Sequence, residues 1–111
     1  MARRIARRSR DFGLSIWTCD GSFPKDAYVF LDRVVNLSEG DRTVLPPLLG
    51  AAMAHEIGHL LLAADNHSAV GIMRAQWGRE DVKQTLRGTL TFTPRQSEQM
   101  CAGVSRRAGF K

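Results

Sequence analysis

The sequence predicts an α+β domain in which a short sheet packs on one long buried helix and a second helix closes the chain. Three observations carry this reading. Residues 14–18 and 27–31 have the alternation and the aromatic and β-branched content of strands. Leu48, Leu49, Ala51, Ala52, Met53, Ile57, Leu60 and Leu61 cover most of the circumference of a helix, as in a helix buried between other elements. Thr93-Pro94-Arg95-Gln96 combines an N-cap, a first-turn proline and a capping-box glutamine.

With 111 residues, 43% of them hydrophobic, the chain is long enough for one domain with a real core. Residues 1–13 read as a basic tail and residues 14–111 as the domain. Leu14-Ser15-Ile16-Trp17-Thr18 is the first strand, Asp20-Gly21-Ser22 a turn, and Ala27-Tyr28-Val29-Phe30-Leu31 the strongest strand, expected beside the long helix. Asp32 to Leu37 either extends that strand or forms a helical turn, and Ser38 to Asp41 is loop. Pro46 and Pro47 suit the opening of the long helix, because proline lacks only an N–H that the first turn leaves unbonded anyway. Ala63 to Asn66 ends that helix, and Trp77-Gly78 breaks the chain before a short helix at 79–87. The final helix is expected to turn Met100, Val104 and Cys101 inward and to stop at Gly109.

Charge narrows the list of partners. The net charge is +5, but Arg3, Arg4, Arg7, Arg8 and Arg10 supply five positive charges, and the eleven basic residues that remain match the eleven acidic ones. The excess therefore belongs to the tail, read as a solvated end in preference to a nucleic-acid contact. No apolar run approaches the ~18 residues of a membrane span, and no apolar segment of a signal peptide follows the arginines. The compartment by default is the cytoplasm, or the exterior if the chain is the later part of a longer protein. Cys19 and Cys101 are too far apart for a Cys-x-x-Cys site and read as two free, buried thiols in preference to one disulfide, the alternative the sequence leaves open.

The chemistry lies in His55-Glu56-Ile57-Gly58-His59. On a helix, residues four apart share a face, so both imidazoles can reach one Zn2+, while Glu56 points to the neighbouring flank, where a general base for hydrolysis has to sit. Pairs of histidines at this spacing also occur on ordinary helices. Here, however, three polar groups interrupt an otherwise apolar helix, and their desolvation needs a compensation that a metal supplies directly. Catalytic zinc normally takes three protein ligands, so a third donor is required.

This stretch, followed by His67-Ser68 and Gly71-Ile72-Met73, resembles the metzincin zinc peptidases, most closely the matrixin-like pattern. The resemblance spans roughly residues 27–104 and is specific for 53–73. It implies a small metzincin-like fold, with residues 14–111 as a catalytic domain, Zn2+ as cofactor, and a metalloendopeptidase acting on a peptide or protein. By the same resemblance His55, His59 and His67 are the metal ligands, Glu56 is the general base, and Met73 is the methionine of the turn beneath the metal.

The chain departs from the pattern at one place. Where the family has a glycine that lets the chain leave the helix there is Leu62, and Asp65 occupies the usual slot of the third ligand. Asp65 is therefore the alternative to His67. His67 is preferred because imidazole is a common third donor, and a helix that runs on before turning accounts for a later ligand. A gluzincin-type third ligand from Glu80 or Glu98 is the weaker option. No tyrosine follows Met73, which leaves the metal, backbone, Arg74 or Gln76 to assist a developing oxyanion. Substrate is expected to lie extended along the strand of Tyr28 to Leu31. The family places more strands and a long helix ahead of its active helix, so the resemblance implies either a minimal version or a C-terminal fragment. Competing expectations are a zinc-binding domain without competent activity and a nucleic-acid-associated protein using the arginines.

Overall fold

In a computed structural model, residues 4–8, 13–18, 26–62 and 67–109 are described, with side chains from Ala27 onward except that of Arg107. The element order is β1 (Arg4–Arg8), β2 (Gly13–Thr18), β3 (Asp26–Val29), α1 (Leu31–Leu37), α2 (Leu45–Leu62), α3 (Arg79–Arg87) and α4 (Pro94–Arg107). The architecture is α+β. The strands form one antiparallel sheet in the order β1-β2-β3, with Ile5 opposite Trp17 and Leu14 opposite Tyr28.

β1 lies within residues 1–13, which the sequence reads as a tail: Arg4–Arg8 pair with Leu14–Thr18 of β2. Charge concealed the strand. A strand ladder is made by the backbone, so charged residue types do not prevent it, least of all in the outer strand of the described sheet. β3 is shorter than residues 27–31 suggested: Phe30 has left the ladder to become the N-cap of α1, and Leu31 is already helical.

α2 is the centre of the fold, in contact with β2, β3, α1, α3 and α4. At its start Asp41 accepts from the N–H and hydroxyl of Thr43, at 2.9 and 2.7 Å, which turns the chain into the helix just before Pro46 and Pro47. Leu48 and Ala52 join Val34, Val44, Ile72, Met73, Trp77 and Leu90 in the buried core. The helix is not enclosed all round, however: Met53 and Ile57, one turn apart, are about half exposed, at 49% and 45%. The apolar circumference overstated burial, since these two positions keep about half of their surface open.

α3 starts with Asp81 accepting from Gly78 N–H at 2.9 Å and ends at Gly88, whose φ of 72° is left-handed. In α4 the box is reciprocal: Gln96 N–H donates to Thr93 Oγ1 at 3.2 Å, and Thr93 N–H donates to Gln96 Oε1 at 2.8 Å. The inward face of α4 differs from expectation. Val104 is 48% exposed, Cys101 is an exposed free thiol, and the buried position is Gly103. Cys19 lies outside the described residues. No helix of the described residues is long and apolar enough to cross a membrane.

Candidate metal centre

The final turns of α2 carry His55 and His59 on one face, with Nε2 atoms 3.2 Å apart. The loop after α2 brings His67 against both, its ring centroid 5.4 Å from that of His55 and 4.9 Å from that of His59. One ligand atom from each of the three lies within 4.8 Å of the others, so the trio can hold a metal ion. The Nε2 separation suits one: two nitrogens ~2.05 Å from a tetrahedral centre lie about 3.3 Å apart. Asp65, the alternative third ligand, lies outside the described residues. Glu80 and Glu98 are exposed on α3 and α4 and do not join the cluster.

The loop is built to hold this arrangement. Gly71 has a φ of 82°, and a Cβ there would lie 2.6 Å from the Thr91 carbonyl oxygen, so the position requires glycine twice over. That close approach lets Ile72 N–H donate to Thr91 at 2.9 Å. The carbonyl of Ile72 then lies 2.6 Å from His55 Nδ1. A carbonyl can only accept, so His55 carries its proton on Nδ1 and presents the lone pair of Nε2 to the cluster. Burial pushes the His55 imidazole down to about 4, and the neighbouring His59 and His67 act in the same direction, while the bond to Ile72 opposes them. His55 is therefore neutral at physiological pH, the state a metal ligand needs.

Three more contacts position the histidines. Ser68 N–H donates to Met73 O at 3.0 Å, tying the residue after His67 to the turn. Met73 is fully buried against Gly58, where a Cβ would come within 2.7 Å of its sulfur and 2.8 Å of the Phe92 ring. Gly58 therefore lets the turn pack directly under the segment between the two helical histidines. Trp77 sets its ring edge-on to His55 with centroids 5.8 Å apart.

Glu56 is 1% exposed, and its Oε2 lies 3.8 Å from His55 Nε2, close enough to share one water molecule with it. Because His55 is neutral, this approach is not an ion pair. Arg74 is committed elsewhere: its Nη1 donates to both Asp81 oxygens, at 3.0 and 3.1 Å, and Gln76 is exposed. One supporting residue escaped the sequence reading. Gln96 Nε2 donates to Ser68 Oγ at 3.2 Å, so the capping box of α4 also braces the residue beside His67. The box itself is visible in Thr93 and Gln96, but its second partner, twenty-eight positions earlier, is not.

No family model matches the chain, and no curated protein or solved structure matches it either.

Proposed function

We propose that the protein is a zinc-dependent peptide-bond hydrolase of metzincin type. The observation that carries this reading is the meeting of His67, from a loop, with His55 and His59, from a helix, beside the buried carboxylate of Glu56. The residues fit the ion: three imidazoles form an ordinary donor set for catalytic zinc, and a fourth position is left over. When bound, Zn2+ would polarise a substrate carbonyl and lower the pKa of a water far enough for it to lose a proton near neutral pH.

The chain's own groups supply the remainder. Glu56 accepts the proton of the attacking water on its carboxylate and delivers it to the departing amine. Ile72 holds His55 in one tautomer, and Trp77 and Met73 exclude water from the inner side of the cluster. Substrate reaches the site from the side of His67, the exposed member of the trio. An extended peptide could add to β3, which is paired only with β2 among the described strands.

Zinc content by mass spectrometry, measured for wild type and for His55→Ala, His59→Ala and His67→Ala, tests the ligand set. Hydrolysis of quenched-fluorescent peptides tests the chemistry, and Glu56→Gln is expected to keep zinc and lose activity. A metal-free wild type refutes the reading. The deep burial of Glu56 favours one other reading, a zinc-binding domain without peptidase activity. A wild type that holds zinc and cuts no peptide would select it.

A further inference from the structure

The face that α4 turns toward the end of α2 is polar. Gln96, Gln99, Gly103 and Arg106 follow one another at helical spacing along it. At Gly103 a Cβ would meet the Leu61 carbonyl oxygen at 2.8 Å and Arg106 Nη2 at 3.8 Å. The helices therefore cross almost backbone to backbone there, and the guanidinium folds back beside the crossing. Next to the crossing is a cleft of about 460 Å³. It is lined by Leu61 and Leu62 from the end of α2, by His67 and Ser68 from the loop, and by Gln96, Gln99 and Arg106 from α4.

The donors of this cleft are not equally occupied. Ser68 donates to Val70 O at 2.8 Å and accepts from Gln96, whose amide oxygen already holds Thr93. Those two residues are committed to the loop. Gln99 and Arg106 are not engaged in this way, and among the described lining residues none is acidic. A cleft lined by a guanidinium and an amide from one helix, two leucines from another and a histidine of the candidate metal cluster complements a carboxylate on a short stem.

We infer that this cleft is a subsite for a substrate carboxylate, either an Asp or Glu side chain or a free C-terminus close to the bond to be cut, with Arg106 and Gln99 as its recognition groups. The inference rests on the peptidase reading for the identity of its substrate and on the cleft alone for the carboxylate. A polar α4 face explains why an apolar stripe failed to locate the inward side of that helix.

The test uses three quenched-fluorescent peptides that differ only in charge: one with Glu and an amidated end, one with Gln and an amidated end, and one with Gln and a free C-terminal carboxylate. Binding to the full-length zinc-loaded protein is read by fluorescence anisotropy, and cleavage as kcat/KM. At least one carboxylate peptide is expected to bind about fivefold more tightly than the neutral peptide at low salt, a margin suited to a solvent-exposed guanidinium. Which one does so identifies the source of the carboxylate. Arg106→Gln should bring the favoured peptide down toward the neutral one, and Arg106→Lys should recover part of the difference. Equal binding of all three overturns the subsite, and if they are also cut at equal rates the peptidase reading stands without it. Carboxylate-dependent binding without cleavage of any peptide keeps the subsite and refutes the peptidase.

Discussion

Gly58 and Gly50 lie on the same helix, and the same substitution should affect them oppositely. Replacing glycine by alanine within a helix gains about 0.8–1.0 kcal/mol from backbone entropy. At Gly50 nothing lies within 4 Å of the added methyl, so Gly50→Ala should be more stable by about that amount. At Gly58 the methyl would sit 2.7 Å from the Met73 sulfur and 2.8 Å from the Phe92 ring. Met73 is fully buried, so relief requires repacking, and overpacked cores lose about 1–3 kcal/mol. The net expectation for Gly58→Ala is a loss of about 0–2 kcal/mol, which separates the two variants by roughly 1–3 kcal/mol. Urea unfolding of the metal-free proteins measures that gap. Displacing Met73 also moves Ile72 away from His55, so affinity for a metal ion at the proposed site, read by chelator competition, should fall about tenfold, within the range for lost supporting contacts. A Gly58→Ala protein stabilised as much as Gly50→Ala, with metal affinity intact, would refute the close packing of turn against helix.

His55 should make the metal-free protein sensitive to acid. Its folded pKa is about 4, against an ordinary 6.5. The unfolded chain therefore takes up the proton first, and stability that is whole above pH ~6.5 declines as the pH falls toward 4, by about 3 kcal/mol. Denaturation in chelator across that window should show this slope, and His55→Gln should flatten it. Gln96→Ala leaves the Thr93 cap on the Gln96 N–H in place but removes the reciprocal bond from Thr93 N–H to Oε1 and the brace on Ser68, so it should lose about 1 kcal/mol and weaken metal binding. Gln96→Glu keeps an acceptor for Thr93 and loses only the donor to Ser68, so its stability should fall less than that of Gln96→Ala while its metal affinity falls as far. Asp81→Ala breaks the contacts with Arg74 and Gly78 at a side chain that is 4% exposed, and should lower stability by about 1–3 kcal/mol with metal content unchanged. Unchanged metal content there would distinguish this structural pair from the proposed metal site.

The residues that act on their near neighbours were legible in the sequence. Thr93, Pro94 and Gln96 announce the start of α4, Trp77-Gly78 the break before α3, and Pro46-Pro47 the opening of α2, because caps and first turns are set within four residues. The spacing of His55, Glu56 and His59 likewise implies one helical face without knowledge of the fold. What crosses the chain was decided by packing. The arginines at 4–8 read as a tail because strand pairing is a property of the partner, β2, and not of charge. Met53 and Ile57 satisfy the pattern of a buried helix yet lie half exposed, since apolar character does not say whether another element arrives to cover it. The inward side of α4 was set by Gly103, where only the absence of a side chain admits the carbonyl of Leu61. His67 shows the division most clearly: its imidazole could be named as a donor from sequence, but its place beside His55 and His59 depends on Ser68, Met73, Ile72 and Thr91, whose hydrogen bonds close a loop no local rule specifies.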